Sequence, residues 1–204
     1  MGRAIGLTII LLGVGLVASY ELAGAASDSR SQSAEPSRDS ILLEPDKELL
    51  RVQYSGSSSG EIRTYSLLGD GRLPVLLSSY ASDTPRLLYT AQVPLEDVDA
   101  IVDVVLRSEL YKLDRERVRS KHVTEPRLGP PIEDSGSVEF TIHLSLYPGT
   151  GPGGQDELDH TFMLTVSDMS TNRYPSIEEY AALREIVKKI RAAEMRLRTE
   201  AVIP

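Results

Sequence analysis

Along residues 136–147, Val138, Phe140, Ile142, Leu144 and Leu146 alternate with Glu139, Thr141, His143 and Ser145. A period of two places the apolar set on one face of a strand and the polar set on the other, so this stretch predicts a half-buried strand. A second alternating run over 158–168 follows a Gly- and Pro-rich connection and predicts the other half of a hairpin. Upstream, alternation bounded by turn residues predicts strands over 49–55, 61–68, 72–79 and 86–93. Gly69-Asp70-Gly71 supplies residues able to take positive φ in the tight connection between the second and third of these. Pro74 has no amide hydrogen to donate, which predicts that the 72–79 strand lies at a sheet edge.

The period then changes. Leu95, Val98, Ile101, Val102, Val105 and Leu106 recur at helical spacing, Pro94 suits a first helical position, and Glu96 and Asp97 lie near the positive end of the helix dipole. A helix over 94–110 follows. Near the carboxyl end, Ile177, Tyr180, Leu183, Ile186, Val187 and Ile190 make an apolar stripe, and Ser176 with Glu179 matches a capping box, predicting a helix over 175–198. Between the first helix and the hairpin, 114–134 shows no sustained period and contains Pro126, Pro130 and Pro131, so it reads as a long loop, a kind of segment that often carries function. A meander, a helix, a hairpin and a helix predict an α+β fold: an antiparallel sheet of about six strands with both helices packed on one face. The expected single domain spans 41–198, with 199–204 as a frayed tail.

Two segments lie outside this pattern. Residues 1–26 have Arg3, an apolar run from Ala4 to Ala18, and Ala23-Gly24-Ala25 or Gly24-Ala25-Ala26 as small-residue cut sites, the three parts of a secretory signal. The uncharged run from Ala4 to Tyr20 just reaches the lower limit for crossing a bilayer, so an uncleaved amino-terminal anchor is the alternative. Either reading places the rest of the chain outside the cytoplasm, periplasmic or secreted. Residues 27–40 contain no apolar side chain larger than alanine or proline and cannot offset their own ordering entropy, which predicts a disordered tether.

Composition removes several chemistries. The 204-residue chain has no cysteine, which excludes disulfides, thiolate metal sites and a cysteine nucleophile. Its 22 basic and 30 acidic residues give a formal charge of −8, which disfavours nucleic acid and anionic lipid surfaces and leaves the membrane as a partner only through an uncleaved leader. Gly56-Ser57-Ser58-Ser59-Gly60 fits the serine-hydrolase elbow pattern, but the residues after it alternate as a strand where that elbow needs a helix. Gly149, Gly151 and Gly154 fit a dinucleotide fingerprint, yet again a strand pattern follows where a phosphate-binding helix is required. Asp156, Glu157, Asp159 and His160 crowd together without the regular oxygen spacing of a calcium loop. Neither a metal nor a cofactor is expected. His122 falls in the long loop, His143 on the polar side of its strand, and His160 on the apolar side, where a satisfied core residue is expected.

What stands out is charge. Lys112, Arg115, Arg117, Arg119, Lys121 and Arg127 outnumber Asp114, Glu116 and Glu125 in the loop region, a local basic excess within an acidic chain. Arginine grips carboxylates in bidentate fashion, so this loop is the candidate partner-binding surface for an acidic protein or ligand. The sequence therefore predicts an exported, non-enzymatic binding or interaction domain. Two alternatives accompany it: a small envelope hydrolase drawing its acids from Asp70, Asp134, Asp156, Glu157 and Asp159, and a structural envelope protein self-associating through the 72–79 strand.

Overall fold

A computed structural model describes residues 35–56, 60–124, 136–169 and 174–200. The expected leader and most of the expected tether lie outside them. The described part is mixed α and β, with one antiparallel sheet of seven strands and three α-helices. The strands are β1 (Ile41–Leu42), β2 (Glu48–Ser55), β3 (Glu61–Leu68), β4 (Arg72–Ser79), β5 (Ser82–Gln92), β6 (Ser137–Leu146) and β7 (Glu157–Thr165). The helices are α1 (Leu95–Arg107), α2 (Arg115–Thr124) and α3 (Glu178–Glu200). Among the described residues no helix is long and apolar enough to cross a membrane.

Strand order is β1-β6-β2-β3-β4-β5, with β7 paired to the other side of β6. β6 is thus the junction: it pairs with β2 through Leu50↔Ile142 to Ser55↔Ser137, and with β7 through Ser137↔Thr165 to Ser145↔Glu157. The two-residue β1 meets its far end, and Tyr147 N–H donates to the Ser40 carbonyl at 2.9 Å. Residues directly opposite on neighbouring strands share a face. That rule carries Val138, Phe140 and Ile142 across to Tyr54, Val52 and Leu50, then to Tyr65 and Leu67, and finally to Val75 and Tyr89. The face so defined holds most of the buried strand residues, with Phe140 and Phe162 stacked at 5.4 Å. Contacts from α3 and from Leu113 reach this same face, and the buried stripes of α1 and α3 belong to its core.

The 72–79 strand is interior rather than an edge, lying between β3 and β5. Pro74 is accommodated because the β3 ladder stops at Tyr65↔Val75, so the missing N–H falls beyond its end, next to the turn. Among the described strands those with a single partner are β1, β5 and β7, which removes the 72–79 strand as a self-association edge. β5 also begins earlier than its alternation suggested, at Ser82.

Part of the expected loop is a helix. Leu110–Lys112 makes a 3-10 turn after α1, and Asp114 then caps α2: its carboxylate accepts the Glu116 N–H at 2.9 Å and its carbonyl accepts the Val118 N–H at 3.0 Å. Val118 is 1% exposed and anchors the helix inward. Residues 125–135, including Arg127 and Asp134, lie outside the described part.

At the amino end, residues 35–40 rest on the domain. Pro36 and Ser40 are buried, Arg38–Ser40 forms a 3-10 turn, and Arg38 pairs with Asp99 of α1. These contacts are polar or small, so the lack of large apolar side chains in 35–40 does not keep the segment off the domain.

Candidate functional site

The basic segment is spread over the 3-10 turn and α2, and three of its cations are held by the protein's own acids. Lys112 reaches Glu109 at 2.8 Å and Glu35 at 3.1 Å, and these two carboxylates, Glu109 first, hold its ammonium above the usual lysine range. Lys121 reaches Glu179 of α3 at 2.5 Å, and Arg119 reaches Glu116 at 3.4 Å. Arg115 and Arg117 are exposed and form no ion pair with a described residue. A cleft of about 240 Å³ opens here, and Arg107, Lys112, Arg117 and Lys121 share its wall with Glu109, Asp114, Glu178 and Glu179. Opposite charges are balanced around that wall, four cations against four acids.

The pool of loop carboxylates does not converge. Asp70 is engaged by Arg72, whose backbone N–H holds the Asp70 carboxyl below its ordinary range against burial, with the guanidinium adding to the effect. Asp156 accepts the Gly149 N–H at 3.2 Å, Glu157 pairs with Lys47, and Asp159 meets His143 Nδ1 at 2.7 Å. None of the four lines the cleft above or the groove described below. Among the described residues, no group of three or more histidine and acidic side chains has the geometry to hold a metal ion. His160, on the apolar face, donates from Nε2 to the Leu113 carbonyl at 2.9 Å and is satisfied there. The two glycine patterns join β2 to β3 and β6 to β7, strand to strand in both cases.

A different surface emerges where the last helix crosses the sheet. Its core stripe is buried, but the adjacent side carries Val187, Ala192 and Met195 interleaved with Arg184, Lys188 and Arg191 at helical spacing. Tyr54 from β2, with Val166 and Met169 from beyond β7, forms the facing wall, and the groove between them encloses about 580 Å³. Met195 is 68% exposed and Val166 is also exposed. Its lining is mainly apolar, and its only charged members are the three cations.

None of these cations forms an ion pair with a described residue. Arg184 Nη1 donates to the Met169 carbonyl at 3.5 Å, and burial pushes its guanidinium down from its ordinary value. Arg191 lies over the Tyr54 ring, 5.8 Å from its centre, an arrangement favoured by the ring quadrupole. Burial pushes the Tyr54 phenol up, while the charge of Arg191 works against it.

Beside the groove, Tyr54 and Arg191 also line a recess of about 280 Å³ with Arg63, Tyr65 and Glu61. Behind it, Glu194 is 8% exposed and accepts hydrogen bonds from Tyr89 at 2.6 Å, Arg198 at 2.7 Å and Tyr65 at 3.3 Å. Burial raises the Glu194 carboxyl, but Tyr89, Arg198 and Arg63 outweigh it and leave the group below the ordinary range. Glu194 is therefore a satisfied buried carboxylate.

Sequence reasoning missed the groove because its walls come from positions 54, 166–169 and 184–195. One signal was present: a second apolar stripe on the last helix, with basic residues three and four apart beside it. Compared with protein-family models and with curated protein sequences, the chain matches none.

Proposed function

We propose that this chain is an exported, non-enzymatic binding domain presented on a tether, and that it takes an apolar ligand bearing negative charge in the groove beside α3. In this reading the helices cover the apolar face of the sheet and leave the groove as the cavity at their margin. The carrying observation is that Arg184, Lys188 and Arg191 stand together without a carboxylate partner among the described residues, although acids outnumber bases 30 to 22. Apolar walls flanked by cations favour an occupant that is itself part apolar and part anionic. The volume and composition also match small-molecule sites, which run to about 300–1,000 Å³ and are mainly apolar with few polar groups. The α2 segment is the less suited surface, since Lys112, Arg119 and Lys121 already pair within the protein.

The test uses the full chain and an anionic apolar dye, anilinonaphthalene sulfonate. Saturable binding is expected, weakened at least tenfold in Val187→Glu/Met195→Glu and unchanged when Arg115, Arg117 and Arg119 become Glu, with near-ultraviolet circular dichroism confirming equal folding. Loss of binding in the α2 variant alone would move the surface to α2. An undiminished signal in the groove variant would sink the reading.

A further inference from the structure

We infer that the occupant of the groove is a single-chain amphiphile with one anionic head group, its tail lying along α3 and its head seated between Arg63 and Arg191. This rests on the groove being the binding site and adds the ligand's class and direction.

Two adjoining spaces of opposite character carry the argument. The groove is the larger and is mainly apolar; the recess next to it is smaller and polar. They share Tyr54 and Arg191, so one molecule can occupy both, with Tyr54 and Arg191 at the boundary. Such a pair of spaces fits a molecule with a tail and a head better than a uniformly apolar one.

Charge fixes which end goes where. Arg63 and Arg191 line the recess, and neither forms an ion pair with a described residue. Glu194 is near Arg63, but its two oxygens already receive Tyr89, Arg198 and Tyr65. Glu61 also lines the recess and limits how much negative charge it can accept. A monoanion such as a carboxylate suits two guanidiniums beside one acid; a polyanion does not.

Length sets the tail. From Arg191, where the head sits, to Arg184 the helix rises about 10 Å, the reach of about eight extended carbons, and the groove of about 580 Å³ has room for about four more beside Met195. Arg184 and Lys188 then flank the tail through their methylene stems while their charges stay toward water.

The experiment is calorimetric titration of the full chain with dodecanoate below its micelle concentration, beside octanoate and dodecanol. Dodecanoate is expected to bind one to one, and octanoate at least tenfold more weakly, because each buried methylene contributes about fourfold in affinity at most. Arg63→Gln/Arg191→Gln is expected to weaken dodecanoate at least tenfold and leave dodecanol within twofold. Equal weakening of both would overturn the head-group assignment. Phosphatidylglycerol vesicles form a separate arm: co-sedimentation without dodecanoate binding would assign the groove to a bilayer surface instead and overturn the proposal. Sedimentation velocity provides the last arm, since a dimer dispersed by Met195→Glu and indifferent to dodecanoate would give the groove to a second copy. If the dye binds in the groove and dodecanoate does not, this inference fails while the binding site stands; if neither binds, both fail.

Discussion

Gly71 has φ +84°, and a Cβ there would stand 2.2 Å from the Val93 carbonyl oxygen. Its own carbonyl accepts the Val93 N–H at 2.8 Å, so the turn is pinned to the chain two residues before α1 begins. Gly71→Ala combines backbone strain with a backbone clash and is expected to cost more than about 1 kcal/mol, read as a lower urea midpoint at unchanged slope. Tyr89 gives a pH signature. Burial, followed by the hydrogen bond and charge of Glu194, pushes its phenol up to about 12. The unfolded phenol titrates near 10, so between pH 10 and 12 the unfolded chain releases a proton that the folded chain keeps. The stability gained from this raised value is complete below pH 10 and is lost as pH rises toward 12. Tyr89→Phe is expected to cost about 1–3 kcal/mol at neutral pH by taking a donor from Glu194, and the gap to the parent is expected to narrow between pH 10 and 12 in urea titrations.

At the scale of elements, α2 depends on few contacts. Val118 is buried, while His122 stacks on Tyr174 at 4.1 Å and its Nε2 lies 2.8 Å from the Tyr180 hydroxyl. Removing the ring in His122→Ala is expected to cost about 1–3 kcal/mol locally. The readout is faster amide exchange within Arg115–Thr124 with β6 amides unchanged. The same sparseness explains why the helix was hidden in the sequence: Val118 and Val123, five residues apart among charged neighbours, leave no periodic stripe, and only the Asp114 cap marks its start. β3 and β4, by contrast, were legible to the residue, because alternation and the Gly69–Gly71 turn agree with each other. Pro74 misled because the lack of a donor was read as an edge, whereas a ladder ending beside a turn satisfies the same constraint. The core stripes of α1 and α3 were readable as periods, whereas the groove depends on which side of α3 the sheet leaves uncovered. The basic excess around α2 was visible as composition, but its pairing with Glu35 and Glu179 depends on tertiary structure.

For the molecule as a whole, ion pairs tie the helices together: Lys189 meets Asp97 at 2.8 Å and Arg107 meets Glu185 at 2.6 Å, linking α1 to α3. The order of the sheet has a consequence for synthesis. β2 is made early, but one of its flanks is closed only by β6, so Leu50 must wait for Ile142. Until then the nascent meander β2 to β5 carries an unpaired row of amides and carbonyls along β2, next to Leu50 and Val52, as an open template for intermolecular strand addition. Pairing across that separation in sequence is slow. The half-made chain therefore presents this open edge until residue 142 is in place, and truncation before residue 137 is expected to raise aggregation, read as light scattering beside the full chain.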